Sequence, residues 1–248
     1  MVISINFLKL YIMEKELKSE GKCIYCNQMV AKAAMTKHLA KHLQDLEKED
    51  KITETAFHVR IQVQEMFLNL LVSSGAQLDD LDDFLRAIWL ECCGHMSSFR
   101  QKGKEYDINW DDEDGDIGEP MGELIANIFE EDMVLKYEYD FGSTTSFDVK
   151  VLKAYHVSVK EPVTLLSRNE PLAIMCGLCK TQPAVKMCGV HMYEEYAFYC
   201  KDCQKKHAKV CPDFKDYAAM PVVNSPRMGV CAYDGGHIDK KRDGVFKV

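Results

Sequence analysis

The stretch AFHVRIQVQ, residues Ala56 to Gln64, alternates apolar and polar side chains with a period of two, the pattern of a strand with one face buried. Downstream, Leu78 to Cys93 changes to helical spacing. Leu81, Phe84, Leu85, Ile88 and Trp89 fall on one face, and Asp79, Asp80, Asp82 and Asp83 load the first turn, where the helix dipole favours negative charge. Gly94 is placed to stop this helix. Ser97 to Tyr106 is expected as a strand, Met121 to Asp132 as a second helix, and Val134 to Asp140 and Ser146 to Ala154 as strands joined through Phe141 to Ser143. These elements predict an α+β fold, with helices packed on a mostly antiparallel sheet and small zinc modules at both ends.

Composition agrees with a folded protein. The 248 residues are 47% hydrophobic and 10% aromatic, and no apolar run reaches the roughly 18 residues needed to cross a bilayer. No membrane partner is expected. The opening MVISINFLKLYI has no basic segment and no small-residue cleavage site, so it does not read as an export signal; Met13 offers an alternative start. The expected compartment is therefore the cytoplasm, where clustered cysteines mean metal more often than disulfide.

The net charge of -8 is uneven: +1 over residues 1–50, -12 over residues 51–169 and +3 over residues 170–248. The middle repels phosphate, so contact with nucleic acid would fall to the ends. Much of the acidity lies in Asn109 to Pro120, NWDDEDGDIGEP. This loop looks like a calcium site, but Gly115 would need an acid five residues earlier, where Trp110 stands; a solvated loop is the better reading. Glu91 to His95, ECCGH, sets thiols beside an imidazole, yet no second base accompanies them and a buried helix end is expected.

Two Cys/His constellations carry the chemistry. In the first, Cys23 and Cys26 sit on a tight turn and His38 and His42 one helical turn apart, as C-x2-C-x11-H-x3-H, with Val30 and Met35 at the two small-core positions of a finger. The base-facing positions of such a helix would be Ala31, Ala34 and Lys37, and alanine cannot make bidentate base contacts. Zinc is expected here; sequence-specific DNA reading is not. In the second, Cys176 and Cys179, Cys188 and His191, Cys200 and Cys203, and His207 and Cys211 form four pairs separated by gaps of eight, eight and three residues. Pairing first with third and second with fourth would hold two zinc ions in a cross-brace similar to B-box and MYND modules. A simpler ribbon would use only Cys176, Cys179, Cys200 and Cys203 for one zinc. The cofactor expectation is thus two to three zinc ions.

Further residues carry a family resemblance. Tyr137 to Gly142 with the strand Phe147 to Leu152, the run Phe84 to His95, the acidic Asp111 to Pro120 loop and Pro221 to Cys231 resemble the plasmid open-reading-frame-three-like family, first catalogued on a root-inducing plasmid. Its members are also labelled insertion-element passenger or TnpR-like proteins. The resemblance spans most of residues 52–235 and implies an α+β domain, a cysteine-rich tail and a loose link to mobile elements; it carries no catalytic residues. His191 stands where related tails commonly have Cys.

Three segments are expected: a C2H2-like finger over residues 13–45, an acidic α+β domain over 52–168 that folds without metal, and a zinc module with its tail over 172–235. The leading functional expectation is a non-enzymatic zinc-binding interaction protein with a protein partner. A second is a mobile-element accessory that binds nucleic acid weakly and without sequence preference, through Lys32, Lys37, Lys41, Lys201, Lys205, Lys206 and Lys209. A zinc hydrolase is the third, disfavoured because catalytic zinc keeps an open position whereas these four-ligand sets are complete.

Overall fold

The structure, a computed structural model, describes residues 17–49, 54–107, 118–192, 194 and 196–237. Residues 108–117, which hold most of the acidic loop, and the possible start at Met13 lie outside them. The described chain is mixed α+β with a large, mostly antiparallel sheet. The described residues form two compact units, one within residues 19–85 and 95–170, the other of residues 86–94 and 171–237 with residues 17 and 18.

The first unit opens with a short hairpin, β1 (Glu20–Lys22) and β2 (Met29–Ala31), followed by the helix α1 (Lys32–Glu49). Then come β3 (Thr55–Val63), β4 (Met66–Ser73), α2 (Leu78–Leu85), β5 (Ser97–Gln101), β6 (Lys104–Asp107), β7 (Glu119–Pro120), α3 (Ile125–Ile128), β8 (Val134–Tyr139), β9 (Thr145–His156) and β10 (Val163–Arg168). The eight-stranded sheet runs β10-β4-β3-β9-β8-β5-β6-β7, antiparallel except for β6 beside β7.

β3 departs from its sequence pattern in an informative way. Alternation predicts one wet face, yet His58 is buried among the polar positions. The reason is α1. Its Met35, Leu39 and Leu43 are fully buried and share a core with Ala56 of β3, Phe67 and Leu71 of β4, Tyr155 of β9 and Leu166 of β10. The helix of the Cys/His finger therefore covers the face of the sheet that the pattern alone would leave to water. On that covered face the His58 imidazole pairs with Asn69 Oδ1 at 3.0 Å, which answers the polar-burial requirement, and burial pushes its pKa down to about 4, so the ring is neutral. Residues 19–45 of the expected finger fall in the same compact unit as the sheet.

Other expectations shift too. Ser97 to Tyr106 is a hairpin rather than one strand, because Lys102 and Gly103 turn the chain with positive φ of 47° and 84°. The helix expected over Met121 to Asp132 shrinks to the single turn Ile125–Ile128. The Leu78 helix is α-helical to Leu85 and continues as a π-helical turn over Arg86–Leu90. Its start is fixed by Asp80, whose carboxylate accepts the Gln77 N–H at 2.8 Å. Inside the sheet, the Tyr137 hydroxyl of β8 donates to the buried carboxylate of Asp82 on α2 at 2.6 Å, tying the helix to the strand it covers.

The second unit holds a small sheet, β11 (Lys186–Cys188) between β12 (Phe198–Tyr199) and β13 (Ala219–Pro221), with α4 (Cys203–His207) and a π-helical turn at Phe214–Ala218. One of its core clusters, around Phe214, Tyr199 and Ala218, is otherwise built from Cys176, Cys188, Cys200, Cys203 and Cys211. A cluster whose buried residues are mostly metal-ligand types supplies little hydrophobic energy of its own.

Candidate metal centres

Two tight turns present cysteine pairs in the same way. In the finger, Cys23 N–H donates to Gln28 O and Asn27 N–H donates back to Cys23 O, with Asn27 in the left-handed region at φ 59°. In the second unit Cys176 N–H donates to Gln182 O and Lys180 N–H to Cys176 O, with Lys180 at φ 57°. In each case the residue after the second cysteine reverses the chain and leaves both sulfurs on one side of the turn. Of the other candidate ligands, His38 and His42 come from α1 and Cys203 and His207 from α4, while Cys188 ends β11 and His191 lies in the 3-10 turn that follows it.

The structure brings together all twelve Cys and His residues singled out by spacing, in three sets of four: Cys23, Cys26, His38, His42; Cys176, Cys179, Cys200, Cys203; and Cys188, His191, His207, Cys211. Within each set the donor atoms all lie within 4.8 Å of one another. The second and third sets interleave along the chain, first pair with third and second with fourth. Each set can hold a metal ion.

Individual separations match that use. A tetrahedral ion with metal–sulfur bonds of about 2.3 Å sets sulfur–sulfur edges near ~3.8 Å and slightly shorter sulfur–nitrogen edges. Cys179 Sγ and Cys200 Sγ are 3.9 Å apart, Cys26 Sγ and His38 Nε2 3.3 Å, Cys188 Sγ and His191 Nδ1 3.1 Å, and Cys211 Sγ and His191 Nδ1 3.9 Å. No disulfide links any of these cysteines.

Electrostatics points the same way. Burial pushes the Cys23 and Cys188 thiols up, and burial together with the hydrogen-bonded neighbours Cys200, Cys176 and Cys179 pushes Cys203 up to about 12. By contrast, the Thr181 side chain and backbone pull Cys179 down to about 6. Crowded thiols resist losing successive protons, and a divalent cation is what allows them all to ionise. Burial and the neighbouring imidazoles His42 and His191 lower the pKa values of His38 and His207, keeping both neutral as ligation requires. His207 is held by stacking on Tyr199, with ring centroids 4.2 Å apart, and its buried Nε2 has no hydrogen-bond partner among the described residues. A buried ring nitrogen without a partner is costly, and a metal ion is one way to satisfy it.

The positions that would face bases are all exposed, but Ala31 ends β2 and only Ala34 and Lys37 lie on α1. Lys32 is engaged elsewhere, its ammonium donating to Gln64 O and pairing with Glu65 at 3.0 Å. Lys201, Lys205, Lys206 and Lys209 are exposed on and around α4. The ECCGH stretch is not the buried helix end expected of it: Cys92 is half-buried and Cys93 exposed. Arg227, in contrast, is completely buried, which no local pattern around it indicates.

Fold and clusters together define a mixed α+β protein carrying Cys/His sets able to hold metal ions. A family model described as plasmid pRiA4b ORF-3-like protein matches residues 55–216, and the chain belongs to that family. The matched span takes in the sheet from β3 onward and the second and third sets, while the finger precedes it. Among solved structures, the chain is similar to a protein of unknown function from Methanosarcina mazei Go1, at 18% identity and a TM-score of 0.37, over 45% of this chain and 68% of that one. No curated protein matches. No helix among the described residues is long and apolar enough to cross a membrane.

Proposed function

We propose that this protein is a non-enzymatic zinc-binding interaction protein holding three zinc ions, one in each four-residue set. The observation that carries the reading is the sorting of twelve Cys and His residues into three complete sets, two of them interleaved as a cross-brace requires. Zinc is favoured over other cations because mixed thiolate and imidazole donors in sets of four suit its tetrahedral preference, whereas magnesium and calcium take oxygen. Four protein ligands per ion leave no open position for a substrate, which supports a structural role over hydrolysis.

An interaction role is supported by what the second unit leaves in solvent. Val210, beside the ligand Cys211, is 78% exposed and Tyr217 is 71% exposed, so both side chains are open to a partner. A weaker second reading, a nucleic-acid-binding accessory of a mobile element, draws on the exposed lysines around α4. It would be backbone binding, because Ala31 and Ala34 stand at two of the three positions where base contacts would be made.

The test is cobalt substitution of chelator-stripped full-length protein, refolded under reducing conditions. The proposal predicts saturation at three cobalt ions, with the intense visible absorption of tetrahedral, thiolate-ligated cobalt. Weak absorption of the kind given by octahedral oxygen ligation, or saturation below two ions, would overturn it.

A further inference from the structure

Outside the three metal sets, the second unit gathers a separate group of thiols. The segment ending the π-helical turn at Leu90 and the tail from Asn224 to Gly236 pack tightly: Ser225 Oγ donates to Trp89 O at 2.5 Å, and a Cβ on Gly236 would lie 2.1 Å from Ile88 O. This packing brings Cys92 to Cys231, 139 positions along the chain from it, with the two sulfurs within 4.8 Å. Between them stands the buried Arg227, whose Nη2 lies 3.6 Å from Cys92 Sγ and 3.6 Å from Cys231 Sγ. One permanently charged donor is thus shared by two sulfurs.

The chain accepts backbone strain to make this arrangement. Cys231 and Ala232 both lie in the left-handed region, at φ 50° and 53°, where a non-glycine residue costs roughly 1 kcal/mol or more. Cys231 is exposed, so a small oxidant can reach it, and Cys92 is half-buried. Cys93 is also exposed, but hydrogen bonding to Cys92, burial and the neighbouring sulfurs push its thiol up, which makes it the poorer nucleophile despite some opposition from Arg227.

We propose that Cys231 and Cys92 form a peroxide-reactive dithiol site, in which Cys231 takes the oxidation and Cys92 resolves it. The Cys231 thiolate sulfur attacks one oxygen of a hydroperoxide; the O–O bond breaks, and the departing alkoxide or hydroxide takes a proton to leave as alcohol or water. Cys231 is now a sulfenic acid. The Cys92 sulfur then attacks the Cys231 sulfur and displaces hydroxide, which leaves as water with the Cys92 proton. Two thiols have lost two electrons and two hydrogens, and the peroxide has been reduced. Arg227 supplies the cation that holds negative charge on whichever sulfur carries it. Closing the bond brings the sulfurs from within 4.8 Å to about 2.05 Å.

The experiment treats metal-loaded, reduced full-length protein with equimolar hydrogen peroxide, blocks free thiols by alkylation, and maps disulfides after non-reducing digestion while counting retained metal. The expected result is a Cys92–Cys231 cross-link, reversible by dithiothreitol, with the metal complement unchanged. Cys231→Ser should abolish the cross-link and leave Cys92 open to alkylation. Oxidation that falls first on the ligand cysteines with metal release, a Cys92–Cys93 bond in its place, or no cross-link in a large excess of peroxide would each overturn the proposal. The wild-type map decides the question even if a variant fails to fold.

Discussion

Replacing Leu39 by Ala tests whether the finger helix and the sheet are one cooperative body. Leu39 is fully buried in the core that α1 shares with Phe67, Leu71, Tyr155 and Leu166, on the side of the helix away from Lys37. Truncating such a leucine costs 2 to 5 kcal/mol in comparable cores, and with neighbours contributed by three strands little collapse is available, so about 3 kcal/mol is expected. A unit of roughly 140 residues has a melting entropy near 0.3 kcal/mol per kelvin, so the loss corresponds to a fall of about 10 °C in its transition. Calorimetry of the metal-loaded protein measures the shift, and hydrogen exchange on β3, β4 and β9 shows whether the sheet itself is affected. Lys37→Ala, on the exposed side of the same helix, should change stability by no more than about 0.5 kcal/mol. The reasoning fails if Leu39→Ala loosens α1 alone and leaves the exchange of β3 and β9 as it was.

Further outcomes are expected. Chelation should lower the sheet's melting temperature while leaving its transition cooperative, since β3, β4, β8 and β9 keep their own apolar core; an unchanged midpoint would mean that the finger contributes nothing to it, and loss of all cooperative melting would mean that metal holds the whole fold. The His58 ring should remain unprotonated at pH 5 by NMR, because burial holds its folded-state pKa near 4 against about 6.5 unfolded. The sign follows: the unfolded chain binds this proton first, so stability is lost as pH falls from about 6.5 to 4, by roughly 3 kcal/mol, and His58→Gln should blunt that loss. A normal histidine titration would show that the site is hydrated. Binding to random DNA should be micromolar or weaker, should fall steeply with salt and should show no preferred sequence; a selection converging on one motif would place base contacts on residues assigned here to packing or solvent.

How legible the chain was depends on the range over which each feature is encoded. The metal-ligand sets could be read because their spacing is local: a turn fixes one pair and a helix turn another, and gap lengths suggested the interleaving. β9 and β8 could be read because their alternation matches a sheet with distinct faces. β4 was not identified, because MFLNLLVS has no alternation; it is buried almost throughout, and an apolar run of that length fits a helix as well. β10, VTLLSR, is short and loses its alternation at the irregularity between Leu165 and Ser167. The short Ile125–Ile128 turn was overestimated, since apolar spacing from Met121 to Phe129 imitates a longer helix. The role of α1 as a cover for the sheet was hidden, for nothing local says that a finger helix will donate Met35, Leu39 and Leu43 to a neighbour. The Arg227 thiol group was equally out of reach, being assembled from residues 135 positions apart.

The most direct test of three zinc sites is native mass spectrometry of protein purified without chelator, with the zinc in each chain counted. The account predicts three zinc ions per chain, falling to two in Cys188→Ser. Two in the wild type, unchanged by that substitution, would reduce Cys188, His191, His207 and Cys211 to packing, and a count of one or none would contradict the reading altogether.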